Sequence, residues 1–298
     1  MRIRATVAAV TGALALSALV APVAQAADTS SSYRTDATKA FAAAHAAGSG
    51  NTTFSTAADA ADPDVTFSNL KIASAIKVGT TNEVTTSVTY TMTHGTDVDI
   101  TSDDFATGPV IYKGSYDSPS NVVGGDYPAT CTATSSTTAS CKGDINIYPA
   151  DAYLVNADAG TWTAGALALT YSDQDGSVQG ETDQGSLGTT KVQRYSKLTV
   201  NAGPEPVYKG KTITSTGKLS RANWEDGHYH GYTNQPVKLQ FRKAGTTTYT
   251  TVKTVYSDSY GNLKATATAG YDGYWRFSFA GTTTTPAVSA VGDYVDVK

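Results

Sequence analysis

Histidine, cysteine and tryptophan are scarce in this chain of 298 residues, with 4, 2 and 3 copies. Imidazole chemistry is therefore confined to His45, His94, His228 and His230. No G-x-S-x-G elbow is present to place a serine nucleophile beside one of them. Glycine loops of the kind that cradle phosphates are missing too. Charged residues make up only 16% of the chain and the net charge is −4, a balance that argues against nucleic acid as a partner. Beyond the first 26 residues no segment is apolar enough to span a bilayer. These absences remove most catalytic and cofactor classes; neither a cofactor nor a catalytic residue is expected.

What is present begins with an export pattern. Arg2 and Arg4 form a short basic region, Ala5 to Val20 an apolar core, and Ala24-Gln25-Ala26 a small-x-small cleavage site. Residues 1–26 read as a signal peptide, so the mature chain is expected to be secreted, with no membrane span. Cys131 and Cys141, flanking the polar stretch Thr132 to Ser140, are expected to pair in an oxidising compartment. Closing a loop of that size is worth about 2.5–3 kcal/mol. A redox-active pair would need the much tighter C-x-x-C spacing.

Composition divides the remainder. Residues 27–62 are rich in Ala, Ser and Thr. A short helix is expected from Asp36, as N-cap, to about Gly48, marginal unless docked, followed by a linker to about Ala61. Residues 63–195 are acidic and residues 196–298 are basic. Between Ala27 and Tyr195 there are 8 basic and 19 acidic residues; between Ser196 and Lys298 there are 12 and 7. The basic half is open to two readings: contact with anionic wall polymers, or a dispersed wet surface.

From Pro63 onward the periodicity is two. Val84, Thr86, Val88, Tyr90 and Met92 share one face of a strand, and Thr85, Ser87, Thr89 and Thr91 the other. Val110-Ile111-Tyr112, Ile145-Asn146-Ile147-Tyr148 and Ala166 to Tyr171 follow, separated by turns at Gly124-Gly125-Asp126, Asp158-Ala159-Gly160 and Asp175-Gly176. In the basic half about seven strands fit the spacing expected of an immunoglobulin-type sandwich, with Trp275, Phe277 and Phe279 facing inward. The expected fold is all-β: two antiparallel Ig-like β-sandwich domains in tandem.

Pro206-Val207-Tyr208-Lys209-Gly210-Lys211-Thr212-Ile213, Pro236 to Phe241 and Asp272-Gly273-Tyr274-Trp275-Arg276 resemble bacterial Ig-like modules. Ala222-Asn223-Trp224, Gly231-Tyr232 and Gly281 to Val288 are similar to the tails of secreted actinobacterial proteins without an assigned activity. The resemblance covers about a third of the chain; it implies a fold and a location and supplies no catalytic residues.

One cluster stands out for binding: Trp224, Glu225, Asp226, His228, Tyr229, His230 and Tyr232. Trp224, Tyr229 and Tyr232 suit a platform for a sugar ring, with His228 and His230 as hydrogen-bonding partners. The two histidines with an acidic neighbour equally suit part of a zinc or copper site, as a metal-dependent hydrolase would need. An inter-strand loop whose aromatics cover one end of a sandwich explains the same residues. Asp173 and Asp175 begin like a calcium loop, with Glu181 and Asp183 nearby, but Val178 stands where the loop needs glycine. The expectation is a non-catalytic extracellular or cell-surface binding or structural protein. Alternatives are a glycan- or calcium-binding module and a metal-dependent hydrolase. The partner would be a cell-wall polymer, a polysaccharide or another extracellular protein.

Overall fold

A computed structural model describes residues 29–46, 62–151 and 153–298. The export signal, the helix stop at Gly48 and the linker lie outside those residues.

The first sandwich is built from β1 (Val65–Lys71), β2 (Ile76–Val78), β3 (Val84–His94), β4 (Phe105–Ser115), β5 (Ser118–Gly124), β6 (Thr130–Ala133), β7 (Thr138–Ile147), β8 (Gly160–Tyr171) and β9 (Val178–Arg194). One sheet runs β1-β3-β7-β6 and the other β2-β9-β8-β4-β5. All pairings are antiparallel except β2 with β9, which run parallel. In β3 the alternation read from the sequence is realised: Val88, Tyr90 and Met92 are buried and Ser87, Thr89 and Thr93 exposed. Cys131 and Cys141 sit directly opposite each other on β6 and β7 and are disulfide-bonded, so the bridge clips one hairpin.

Alternation vanishes in β4 and β8, where Ala106 to Tyr112 and Ala164 to Leu169 are buried without a break. The cause is α1 (Thr29–Ala44), which covers the sheet's second face. Tyr33, Ala37, Ala40 and Phe41 form its buried stripe, against Ala106, Val110, Tyr112, Leu167 and Leu169. A strand covered on both faces has no wet side and reads as a continuous apolar run. The helix starts seven residues before Asp36, which lies in its interior and not at its N-cap. Tyr33, on the buried stripe, packs the early part of the helix against the sheet and supports the earlier start.

The second sandwich contains β10 (Ser196–Leu198), β11 (Asn201–Gly203), β12 (Thr212–Asn223), β13 (His228–Gly231), β14 (Pro236–Lys243), β15 (Thr250–Tyr256), β16 (Asn262–Thr268), β17 (Gly273–Phe279), β18 (Val288–Ser289) and β19 (Asp293–Val295). β12 pairs with β10, β11, β13 and β16. The opposing sheet runs β15-β14-β17, and β17 carries β18 and β19 on its far side. Trp275, Phe277 and Phe279 point into the core with Val237, Leu239, Ile213, Leu219 and Leu263. β15 is an edge strand, exposed from Thr250 to Thr254, and its pairing with β14 shifts register between Leu239 and Gln240.

Candidate functional site

The segment from Trp224 to Tyr232 is a hairpin arm rather than a free loop. Asn223 turns the chain, Gly227 N–H donating to its carbonyl at 3.1 Å, and Gly227 takes the left-handed φ of 70° that favours glycine. β13 then pairs back on β12, with Asn223 opposite His228, Ala222 opposite Tyr229 and Arg221 opposite His230. Successive residues face opposite sides, so this register divides the cluster.

Trp224, expected as a platform residue, faces inward. It is 3% exposed and belongs, with Ala222, to the hydrophobic core of the first sandwich. Its indole N–H donates to the Val78 carbonyl at 3.4 Å, and its amide donates to Asn156 Oδ1 at 3.1 Å. Tyr229 packs against the same core, with Lys197 Nζ 3.6 Å from its ring centroid. Tyr232 packs against the second core, edge-on to Phe279, under the Arg221 guanidinium at 3.9 Å. The three aromatics do not form a common platform: Trp224 is a packing residue of the junction.

Of the ring-bearing residues, His228 and His230 remain exposed, gathered around Asp226, and Glu225 is exposed beside them, accepting from the Asn156 amide at 3.2 Å. Asp226 accepts from the His228 amide at 3.0 Å, and its second oxygen lies 2.6 Å from His230 Nε2. Desolvation opposes ionisation of Asp226, but the His228 amide and the His230 ring hold its carboxyl below the usual range. Among the described residues no group of three or more His, Cys, Asp and Glu is arranged to hold a metal ion. Asp175 is occupied likewise: Oδ1 accepts from the Ser177 hydroxyl at 2.8 Å and amide at 3.1 Å, which lowers its pKa and caps the β8–β9 turn. Asp173 sits exposed in that turn.

The junction absorbs motifs that had only a family look. Arg194, at the end of β9, donates from Nε to the Ala222 carbonyl at 2.6 Å, and its amide donates to the Thr284 carbonyl at 3.0 Å. Gln193 Nε2 reaches the Thr282 and Thr283 carbonyls at 2.8 and 3.2 Å, and Ser196 Oγ donates to Pro286 O at 2.9 Å. Burial, then the Arg221 charge, brings the Arg194 guanidinium down to about 10. The threonine run Thr282 to Thr284 is thus a backbone acceptor strip that receives the end of the first sandwich.

Beneath α1 lies a half-buried ionisable cluster that the sequence does not signal. His45 Nε2 lies 3.1 and 3.0 Å from the two oxygens of Asp183 on β9, and Tyr116 donates its hydroxyl to the same carboxylate. The His45 and Tyr116 rings are 4.1 Å apart. Glu181 lies beside them with Oε1 buried and unpartnered among the described residues. Burial, then the Asp183 charge, raises its carboxyl well above the ordinary 4.5. In the sequence Glu181 and Asp183 are only neighbours of the turn; nothing in the letters ties them to His45, which lies 138 positions from Asp183.

The sign of the Glu181 effect follows from linkage. A folded-state value above the unfolded one gives stability that is complete below the unfolded value of 4.5 and declines as pH rises toward the folded one. Glu181→Gln is therefore expected to lessen the loss of stability between about pH 5 and about pH 8. Urea midpoints of both proteins at the two pH values check this; equal declines would refute it.

No protein-family model and no curated protein matches the chain. Among solved structures it is similar to the adhesin InvE of Yersinia pseudotuberculosis, at 13% identity and TM-score 0.25, over 76% of this chain and 58% of that one. It is also similar to the D00-D0 domain of Intimin, at 15% identity and TM-score 0.26, over 77% of this chain and 99% of that one. A third is Dpr2 Ig1-Ig2 in complex with DIP-Theta Ig1-Ig3, at 11% identity and TM-score 0.26, over 79% and 99%. The all-β sandwich assignment rests on the strand pairing itself.

Proposed function

We propose that this chain is an exported, non-catalytic binding or structural protein of the extracellular space or cell surface. Its two Ig-like units, dividing near Tyr195, hold binding surfaces at a fixed spacing. The observation that carries this reading is the junction. A buried tryptophan, a buried arginine and the Asn156–Asn223 side-chain hydrogen bond are all committed to locking one sandwich against the other. Units that move independently are usually joined by exposed linkers with few contacts. A rigid pair suits presentation or spacing. The polymer, polysaccharide or extracellular-protein partner expected from the sequence belongs to this reading.

The test is co-sedimentation of the full chain with insoluble cell-wall material and polysaccharides, alongside elemental analysis and a hydrolysis screen on the same polymers. Retention without turnover and without stoichiometric metal is expected. Turnover that depends on bound zinc or copper and is lost in His230→Ala would replace this reading with the hydrolase alternative.

A further inference from the structure

The outer face of the β14–β17–β19 sheet carries an interleaved array of cations and rings. Strand register places it. Val237, Leu239 and Phe241 pair with Phe279, Phe277 and Trp275 on the inward side. Lys238, Gln240 and Arg242 therefore pair with Ser278, Arg276 and Tyr274 on the outward side, and Tyr274 pairs in turn with Tyr294.

On that face the side chains interleave. The Arg242 guanidinium lies 4.0 Å from the centroid of Tyr274 and 5.3 Å from that of Tyr249. The Arg276 guanidinium lies 3.7 Å from Tyr249, and its Nε donates to Gln240 Oε1 at 2.9 Å. Tyr274 and Tyr294 stack edge to face at 5.2 Å. Stacking fixes the plane of each guanidinium and lowers the entropy lost when its remaining N–H groups engage a ligand.

No acid answers these charges. The ion pairs among the described residues are Arg34 with Asp126, His45 with Asp183, and Asp226 with His228 and His230; none uses a lysine or arginine of the second sandwich. Of the neighbouring carboxylates, Asp293 accepts from the Ala202 amide and Asp272 from the Val297 amide, while Asp296 lies near Tyr294 at the rim of the face. Arg242 Nη1 donates to the Thr246 carbonyl and Arg276 Nε to Gln240, and the remaining N–H groups of each planar guanidinium are matched to a carboxylate, which such a fork binds through two parallel hydrogen bonds. Tyrosine edges and the Gln240 amide offer contacts to hydroxyl-bearing rings. A flat, partly exposed sheet face suits an extended chain better than a small molecule, which needs a concave pocket.

We infer that this face binds an acidic polysaccharide, with Arg242 and Arg276 as the carboxylate-binding residues and Tyr249, Tyr274 and Tyr294 as the surface beneath the sugars. The assignment deepens the proposed binding role and rests on it. Co-sedimentation or affinity electrophoresis of the full chain with polygalacturonate, and with neutral galactan as control, tests it. Binding to polygalacturonate that weakens with salt is expected, falling about tenfold for each of Arg242→Gln and Arg276→Gln. Arg242→Lys and Arg276→Lys should also lose most of the affinity, because lysine keeps the charge but not the fork. Lys218→Gln with Lys264→Gln, on the opposite sheet, removes the same charge as the arginine pair and should change binding by less than about twofold. Equal loss in the two pairs would overturn the assignment, as would arginine variants that bind normally. Retention on galactan alone, or on cell-wall protein but no polysaccharide, would overturn it too while leaving the broader binding role standing.

Discussion

Trp224→Ala is expected to destabilise the protein by about 3–5 kcal/mol, the range for truncating a large aromatic side chain in a packed core. The residue is 3% exposed and lies among Val78, Ala222 and the core of the first sandwich, although it belongs to the second. Removing it leaves a void at the place where the two units are joined. Calorimetry should therefore show a lower midpoint and a separation into two transitions. Of the two readings the sequence leaves open, this is the outcome for aromatics that cover a sandwich end; a platform tryptophan would leave thermal stability nearly unchanged and weaken ligand retention. An unaltered melting profile would return Trp224 to the ligand role and undo the argument for a fixed junction.

Phe41→Ala is expected to cost about 3–5 kcal/mol as well, by releasing α1. Phe41 is fully buried, with ring centroids of His45, Tyr112 and Tyr116 at 4.8, 5.5 and 6.1 Å. It is one of only two aromatic groups on a stripe otherwise made of alanines, so no neighbour replaces it. Undocking would uncover Tyr112, Leu167 and Leu169 on the sheet and open the His45–Asp183 contact. The expected signs are early proteolysis within residues 29–46 and increased binding of a hydrophobic dye. A variant as protease-resistant as the parent, with stability lowered by less than about 1 kcal/mol, would show that the helix is held by other contacts.

Periodicity was most legible where a strand has one wet face. β3 and β17 announce themselves because each alternate residue meets water, and their inward sets are those read from the letters. It was least legible where burial is two-sided. β4 and β8 look apolar throughout because of a helix more than sixty residues upstream, and only docking reveals which side that helix covers. The division of the Trp224–Tyr232 cluster was hidden for a related reason. Trp224, Tyr229 and Tyr232 are close in sequence, but β13 is a strand, and its pairing with β12 sends the aromatics to two cores and the histidines to solvent. The arginine–tyrosine face is the converse. Each half of it alternates visibly along β14 and β17, but the rings and guanidiniums meet only once the two strands are placed in register. The His45–Asp183–Glu181 cluster carries no local signal, since it is assembled across separate elements of the fold.

The kinked outer border of the second sandwich has a further consequence. β15 offers one unpaired row of amides and carbonyls, which in a flat, oily strand would recruit the same strand from another molecule and grow into fibres. Here the shift of pairing after Leu239 twists that border, and Lys253 and the threonines around it keep it wet and charged. Copies crowded together at high density should therefore repel along this margin and stay dispersed.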